Sequence, residues 1–399
     1  MSRLLAISLL LALASRAHAD DLGTDFGPQA KALFRVGACG GDDPVPDRLP
    51  AKTIDSHCKS MTNLYASYRR AWADKAGAFI TNLRPAAAPR TVVYPFGGGD
   101  LTSALVVFPD ALEITTLSLE APGDVRAIDT IKAAQLSTDL GTIAKDIRRL
   151  YRSAHSTTKS LQAAAYSELP GSLMFALAGL AVFDFEPVSL RYFDINTDGS
   201  LAYLSNDELD RRVAAVKSTQ KTKKRFDARK HYWLEMESVF ANVEIRYRKR
   251  GDAKAPLRTY RHILANLDDA HMTADDRVLD HLRAKGKVSV MTKAASFLLW
   301  FTDFSQVRDY LLKNMTWMIS DASGIPPSYA NAAGFEQVTY GVFTGPYFIQ
   351  DRDNTRAQFI KLWKKQPQRP LPFRFGYPDE NGQNHLLVTQ PRSTPPARP

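Results

Sequence analysis

From Thr91 onward the chain alternates short β-branched or apolar runs with amphipathic stretches, and this alternation constrains the fold more than any other feature. TVVYPF, ALEITTLSLE, TYRHILANL, KVSVMTKAA and TWMISDASG have the length and composition of buried strands. Between them lie a short apolar segment after Asp100 and helical patterns over 125–152, 275–285 and 304–313. Strands separated by helices pair in parallel and need cover on both faces. The expected fold is therefore α/β: a mostly parallel, Rossmann-like three-layer sheet with helices on both faces. SLRYFDINTDGSLAYLS and EQVTYGVFTGPYFIQ add expected β-hairpins, VEIRYRKR adds a strand, and residues 207–238 read as mostly helix.

Ahead of this region, MTNLYASYRRAWADKAGAFITNL spaces Leu64, Tyr68, Trp72 and Phe79 at helical intervals and stops at Arg84-Pro85. The expected organisation is a leader over 1–19, an N-terminal segment over 20–85, a single α/β domain over 86–389 and a disordered proline-rich tail over 390–399.

The leader reading rests on Arg3, the apolar run Leu4–Ala14 and Ala17-His18-Ala19 before Asp20, which together form a secretory signal with cleavage after Ala19. A membrane anchor needs about 20 apolar residues, nearly twice this run. The other apolar stretch, LPGSLMFALAGLAVFDFEP, is broken by Pro170, Gly171 and Gly179. A soluble protein, periplasmic or secreted, is expected, with no membrane span. In an oxidising compartment Cys39 and Cys58, in a segment too polar to make its own core, are expected to form a disulfide; the alternative is two free thiols. With only His57 nearby, they fall short of a tetrahedral zinc site, and no metal is expected.

Loss of Arg3 and Arg16 with the leader takes the formal charge of +10 to about +8. The excess concentrates in KSTQKTKKRFDARK and IRYRKRGDAKAPLRTYRH. This charge suits an anionic polymer as a partner. No nucleic-acid module accompanies the runs, which suit a solvated helix face and an edge hairpin.

In open α/β sheets ligands sit beyond the carboxyl ends of the strands. Those ends carry Gly97, Gly98, Gly99 and Asp100, then Glu120, Asn266 with Asp268, Lys293, and Asp321 with Ser323. Asp100, Glu120, Lys293, Asp321 and Ser323 are the catalytic candidates. The glycines, the four charged residues, Asn266 and Asp268 are the ligand-binding ones. A glycine loop after a first strand and an acid after a second also matches the order of nucleotide and S-adenosylmethionine folds. FGGGD departs from G-x-G-x-x-G, however, and no cofactor is expected. Asp194, Asn196, Asp198 and Gly199 begin a calcium-loop pattern, but Ser205 stands where a bidentate Glu belongs, so a hairpin turn is the expected outcome. No G-x-S-x-G elbow occurs, although Ser296 and Ser323 follow strands. His155 and His262 are expected near the core as hydrogen-bonded structural residues.

YPFGGGD, LSLEAPGDV, TKAASFLLW and SDASGIPPSY resemble the recurring blocks of a family of exported bacterial α/β proteins without an established activity. The pattern is approximately Y-P-F-S-G-P-D, L-E-P-x-G, K-S-A-S-Y-L-x-H and D-D-S-G-I-P, covering residues 90–350. Asp100, Glu120, Lys293, Asp321 and Ser323 fall on matching positions. Ala294, Phe297, Trp300 and Ala322 stand where the pattern has Ser, Tyr, His and Asp, which implies a family site partly lost. Two functions follow. One is binding of a small anionic or carbohydrate-like ligand at the strand ends; the other is hydrolysis by the carboxylates with Lys293.

Overall fold

A computed structural model describes residues 23–153, 168–220, 236, 238–345, 354–377 and 379–392. The leader, His155, most of the first basic run and residues 393–399 of the tail lie outside them.

One ten-stranded mixed sheet organises the chain, in the order β4-β3-β5-β6-β2-β1-β7-β8-β10-β9. Its strands are β1 (Thr91–Pro95), β2 (Glu113–Ser118), β3 (Phe185–Ile195), β4 (Leu201–Tyr203), β5 (Asn242–Lys249), β6 (Arg258–Leu264), β7 (Val288–Met291), β8 (Met315–Ser320), β9 (Phe335–Gly341) and β10 (His385–Pro391). Five central strands, β6-β2-β1-β7-β8, are mutually parallel. The flanking pairings are all antiparallel.

The expectation of a mostly parallel sheet is corrected accordingly: half the strands join antiparallel at the two edges. Connection length explains one case, since residues 250–257 are too few for the crossover a parallel β5–β6 pair would need. Of the hairpin expected within EQVTYGVFTGPYFIQ, the first arm forms β9, which pairs with the distant β10, and residues 346–350 lie outside the described residues. Gln390 and Pro391, placed in the tail by proline content, belong to β10; Pro391 is tolerated at the strand's last position.

Helices α1 (Gly27–Val36), α2 (Ala51–Tyr68), α3 (Asp74–Thr81), α4 (Leu101–Val107), α5 (Ala127–Thr130), α6 (Ala133–Ser153) and α7 (Gly171–Val182) precede β3. After it come α8 (Asn206–Gln220), α9 (Asp269–Ala274), α10 (Arg277–Ala284), α11 (Ser305–Asn314), α12 (Pro327–Ala332) and α13 (Thr355–Lys365). Val92 and Tyr94 point into a core built with α1–α7, whereas Val93 points into a second core with α9–α12. That alternation is the two-residue period of a strand covered on both faces. The single helix expected over 125–152 divides at Ile131, whose ψ of 134° is extended. The apolar stretch read from Pro170 becomes α7, buried at every position but Ala181. Among the described residues no helix is long and apolar enough to cross a membrane.

Cys39 and Cys58 are disulfide-bonded with Cα atoms 5.1 Å apart, fastening the polar segment after α1 to α2. The hairpin at Asp198 also forms: Asp198 Oδ1 accepts from the Ser200 amide at 2.9 Å, and Asp194 is engaged by Arg212 at 2.7 Å.

A partly buried charge network ties β2, β5 and β6 to the end of α10. Arg261 bridges Glu113 and Glu244 at 2.8 Å each, and Lys285 also reaches Glu113. Burial, then the Lys285 charge, pushes the His281 pKa down from 6.5 to about 4. A folded-state pKa below the unfolded value means that stability is complete above pH 6.5 and is lost as pH falls toward 4. At about 1.4 kcal/mol per pH unit, that interval sets a ceiling of roughly 3 kcal/mol. Urea melts at pH 7.5 and 4.5 should show this loss, and His281→Asn, which keeps a donor toward the Gly199 carbonyl, should flatten it. Equal pH dependence in both proteins would contradict the assignment.

Candidate functional site

The chain crosses sharply from β1 into α4. Phe96, with φ of 61°, and Gly98, with φ of 53°, both adopt left-handed conformations. Glycine accepts this freely and phenylalanine does not, so Phe96 is a point of backbone strain. The bend delivers Asp100 to the first turn of α4, where Oδ1 accepts from the Ser103 amide at 3.0 Å. This local bond fixes the carboxyl group as an N-cap. Its other oxygen, Oδ2, accepts from the Tyr94 hydroxyl at 3.3 Å and lies 3.6 Å from Lys293 Nζ.

Lys293 follows β7, the strand beside β1. Only 2% of it is exposed. Its ammonium donates to Ser103 Oγ at 2.9 Å and sits 5.4 Å from the Trp72 ring and 5.8 Å from the Phe375 ring. Burial lowers the Lys293 pKa, and Asp100, then Asp321, pull it back up. The Tyr94 and Tyr68 hydroxyls are pushed well above the ordinary phenol range, first by burial and next by the Asp100 charge.

Asp321, wholly buried after β8, accepts from the Ser323 amide at 2.9 Å, from the Ser323 hydroxyl and from the Tyr377 amide at 3.2 Å. Ser323 continues to Ser296 at 2.5 Å. Asp100, Lys293, Asp321 and Ser323 thus share one strand-end region, which β1, β7 and β8 bring together.

Other candidates take different places. Glu120 contributes its backbone: the carbonyl contacts His262 Nε2 at 2.7 Å. The Asn266 and Asp268 side chains are engaged at the start of α9, where Asp268 Oδ1 accepts from the His271 amide at 2.9 Å and Asn266 Oδ1 accepts from the Asp268 amide at 3.2 Å. His262 is hydrogen-bonded between loops, with Nδ1 3.1 Å from the Gly98 carbonyl, and burial lowers its pKa.

The glycine loop serves close packing within the protein. A Cβ on Gly97 would lie 2.7 Å from the Tyr94 ring, and one on Gly99 would lie 2.5 Å from the Ser172 carbonyl of α7. The neighbour that needs the missing side chain at Gly99 is therefore the protein's own helix. Gly99→Ala should cost about 1–3 kcal/mol by forcing α7 away from the loop. Urea denaturation checks this, and a cost within about 0.5 kcal/mol, the range of a neutral surface change, would contradict it.

Several site residues had no sequence signal of their own. Hydrophobic spacing alone makes Tyr68 and Trp72 core positions of one regular helix. A π-helical turn over Arg69–Ala73 interrupts that helix, and such insertions frequently mark functional sites. Trp72 donates its indole N–H to the Arg374 carbonyl beside the site. Ser103 lies in an otherwise apolar helix and Phe375 in a long loop, where no pattern singles them out.

Comparison with known proteins yields no match to a family model, to a curated protein or to a solved structure.

Proposed function

We propose that this chain is an exported binding protein whose site, at the carboxyl ends of β1, β7 and β8, takes a small carbohydrate-like ligand. The observation that carries the reading is Lys293, an ammonium withdrawn from water between Asp100, Ser103 and two aromatic rings. Burying such a charge costs several kcal/mol unless it is well paired, so a chain without use for it gains little by keeping it.

Its position supports the same reading. We take the five parallel strands as a Rossmann-like core with helices on both faces. In chain order they lie third, second, first, fourth and fifth across the sheet, so the order reverses at β1. Ligands of open α/β sheets bind at that reversal, and Asp100 and Lys293 flank it. The strained Phe96 and the π-turn at Trp72 lie beside it, as strain at functional sites does.

Chemistry narrows the ligand. Two carboxyl groups accompany the one buried ammonium, so its charge is already balanced and attracts an anionic ligand little. Carboxylate acceptors, phenol donors and flat rings suit sugar hydroxyls and C–H faces. The packing of α7 on Gly99 weighs against a nucleotide or S-adenosylmethionine at this loop. Export is supported by the leader pattern and the disulfide, and the family resemblance stands as part of the same proposal.

A panel of neutral sugars, acidic sugars and simple anions, scored by melting temperature, tests the reading. A neutral sugar should stabilise the protein by mass action, by about 2.7 kcal/mol at a hundredfold excess over its Kd. Stabilisation by anions alone would overturn it.

A second reading, hydrolysis, is favoured by one contact: Ser103 Oγ lies 2.9 Å from Lys293 Nζ, a spacing at which the lysine, once deprotonated, would take the serine proton as general base. A fluorophosphonate probe that labels Ser103 would establish it, and a native protein left unlabelled at Ser103 would count against it.

A further inference from the structure

Lys293 and Asp321 are covered by part of the chain itself. Residues 366–384 join α13 to β10 with no helix or strand among the described positions. Connections beyond roughly 12–15 residues without secondary structure usually carry a function, and lids are a recurring one. The near end of this connection is fastened to β9: the Gln366 side chain donates to the Gln337 carbonyl at 2.6 Å, and the Arg369 carbonyl accepts from the Gly341 amide at 2.8 Å. At the far end, Asp379 accepts from the Thr344 amide at 3.0 Å and the Gln383 amide at 2.7 Å.

Between these anchors Phe373 and Phe375 are buried while Arg374 is exposed. Phe373 packs edge-on against Trp72 and Phe79, with centroids 6.3 and 5.4 Å away. Phe375 covers Lys293, and the Tyr377 amide donates to Asp321. The Trp72 indole holds the Arg374 carbonyl, and His385 is hydrogen-bonded to the Tyr377 backbone. Gly376, at φ of 65°, lies so close that an added Cβ would stand 2.1 Å from Asp321 Oδ2.

We infer that residues 370–377 are a lid that occupies its own binding site. The Phe375 ring takes the place of a stacking partner, and the Tyr377 N–H supplies the donor that a sugar hydroxyl would offer Asp321. Ligand entry requires this middle section to lift while both anchored ends stay in place. The inference rests on the strand-end site proposed above and deepens it. The opening is local: its free energy lies below that of global unfolding.

Reductive methylation of the native protein, read residue by residue by mass spectrometry, measures the opening without any ligand. Lys285 is the internal control, because its side chain is 6% exposed against 2% for Lys293, it pairs with Glu113, and it lies under no lid. Lys293 should be methylated at least ~10-fold faster than Lys285, and Gly376→Ala should raise its rate a further ~10-fold without changing that of Lys285. Trp72→Phe, which removes the indole bond to Arg374 and leaves a smaller ring against Lys293 and Phe373, should raise it in the same direction and guards against a folding defect in Gly376→Ala. Equal, slow methylation of both lysines in all three proteins overturns the lid. Fast methylation of Lys293 in a protein that no sugar stabilises supports the lid and overturns the carbohydrate reading.

Discussion

Replacing Lys293 with alanine should lower the free energy of unfolding by about 3–5 kcal/mol, because Asp100 is then buried without its cation. Removing one member of a buried pair exposes the cost of desolvating the other. Removing both together does not. Asp100→Asn with Lys293→Met should therefore recover most of the loss, since the amide can still accept from the Ser103 amide and methionine fills the volume under Phe375. Urea denaturation of the two single variants and the double variant gives the coupling directly. A Lys293→Ala cost below about 1 kcal/mol, the size of an exposed ion pair, would mean that the ammonium is solvated.

Opening the Cys39–Cys58 bond should cost about 3 kcal/mol, the chain-entropy value for a loop of this size, here with a sequence separation of 19. The segment it closes has little apolar content of its own and hangs on Phe34, whose ring would lie 2.1 Å from a Cβ on Gly40. Reduction should lower the urea midpoint, and Cys58→Ser should reproduce that effect without reductant. Identical midpoints with and without reductant would contradict this, as would thiols that alkylate in the native, unreduced protein.

Strand positions were legible because β-branched runs ended by glycine or acid have few alternatives, and β1, β2, β6, β7 and β8 formed where those runs lie. The convergence of Asp100, Lys293 and Asp321 followed from the same alternation, since residues after parallel strands emerge at one edge. What the glycine loop faces was not legible. A glycine records that something approaches closely, and only tertiary packing says whether it is a ligand or, as here, the Ser172 carbonyl. The apolar run from Gly171 has no amphipathic stripe, so its burial on all sides carried no indication of its neighbours. Trp72 was assigned to a regular helix because a π-turn leaves no mark in hydrophobic spacing. β10 was obscured by the prolines that follow it, and the pairing of β9 with β10 spans a separation that no local pattern reports. Asn266 and Asp268 emerge after β6 as expected, but their side chains are engaged in starting α9.

As proposed above, the Asp100–Lys293 pair under the Phe375 lid is a ligand site and not only a structural clamp. Calorimetric titration of the most stabilising neutral sugar into wild type and into the Asp100→Asn, Lys293→Met double variant tests it most directly, because the double variant is expected to remain folded. Saturable binding to the wild type is expected, with at least ~100-fold weaker binding to the double variant, the loss of about 2.7 kcal/mol of contacts. Equal affinity in the two proteins would contradict it.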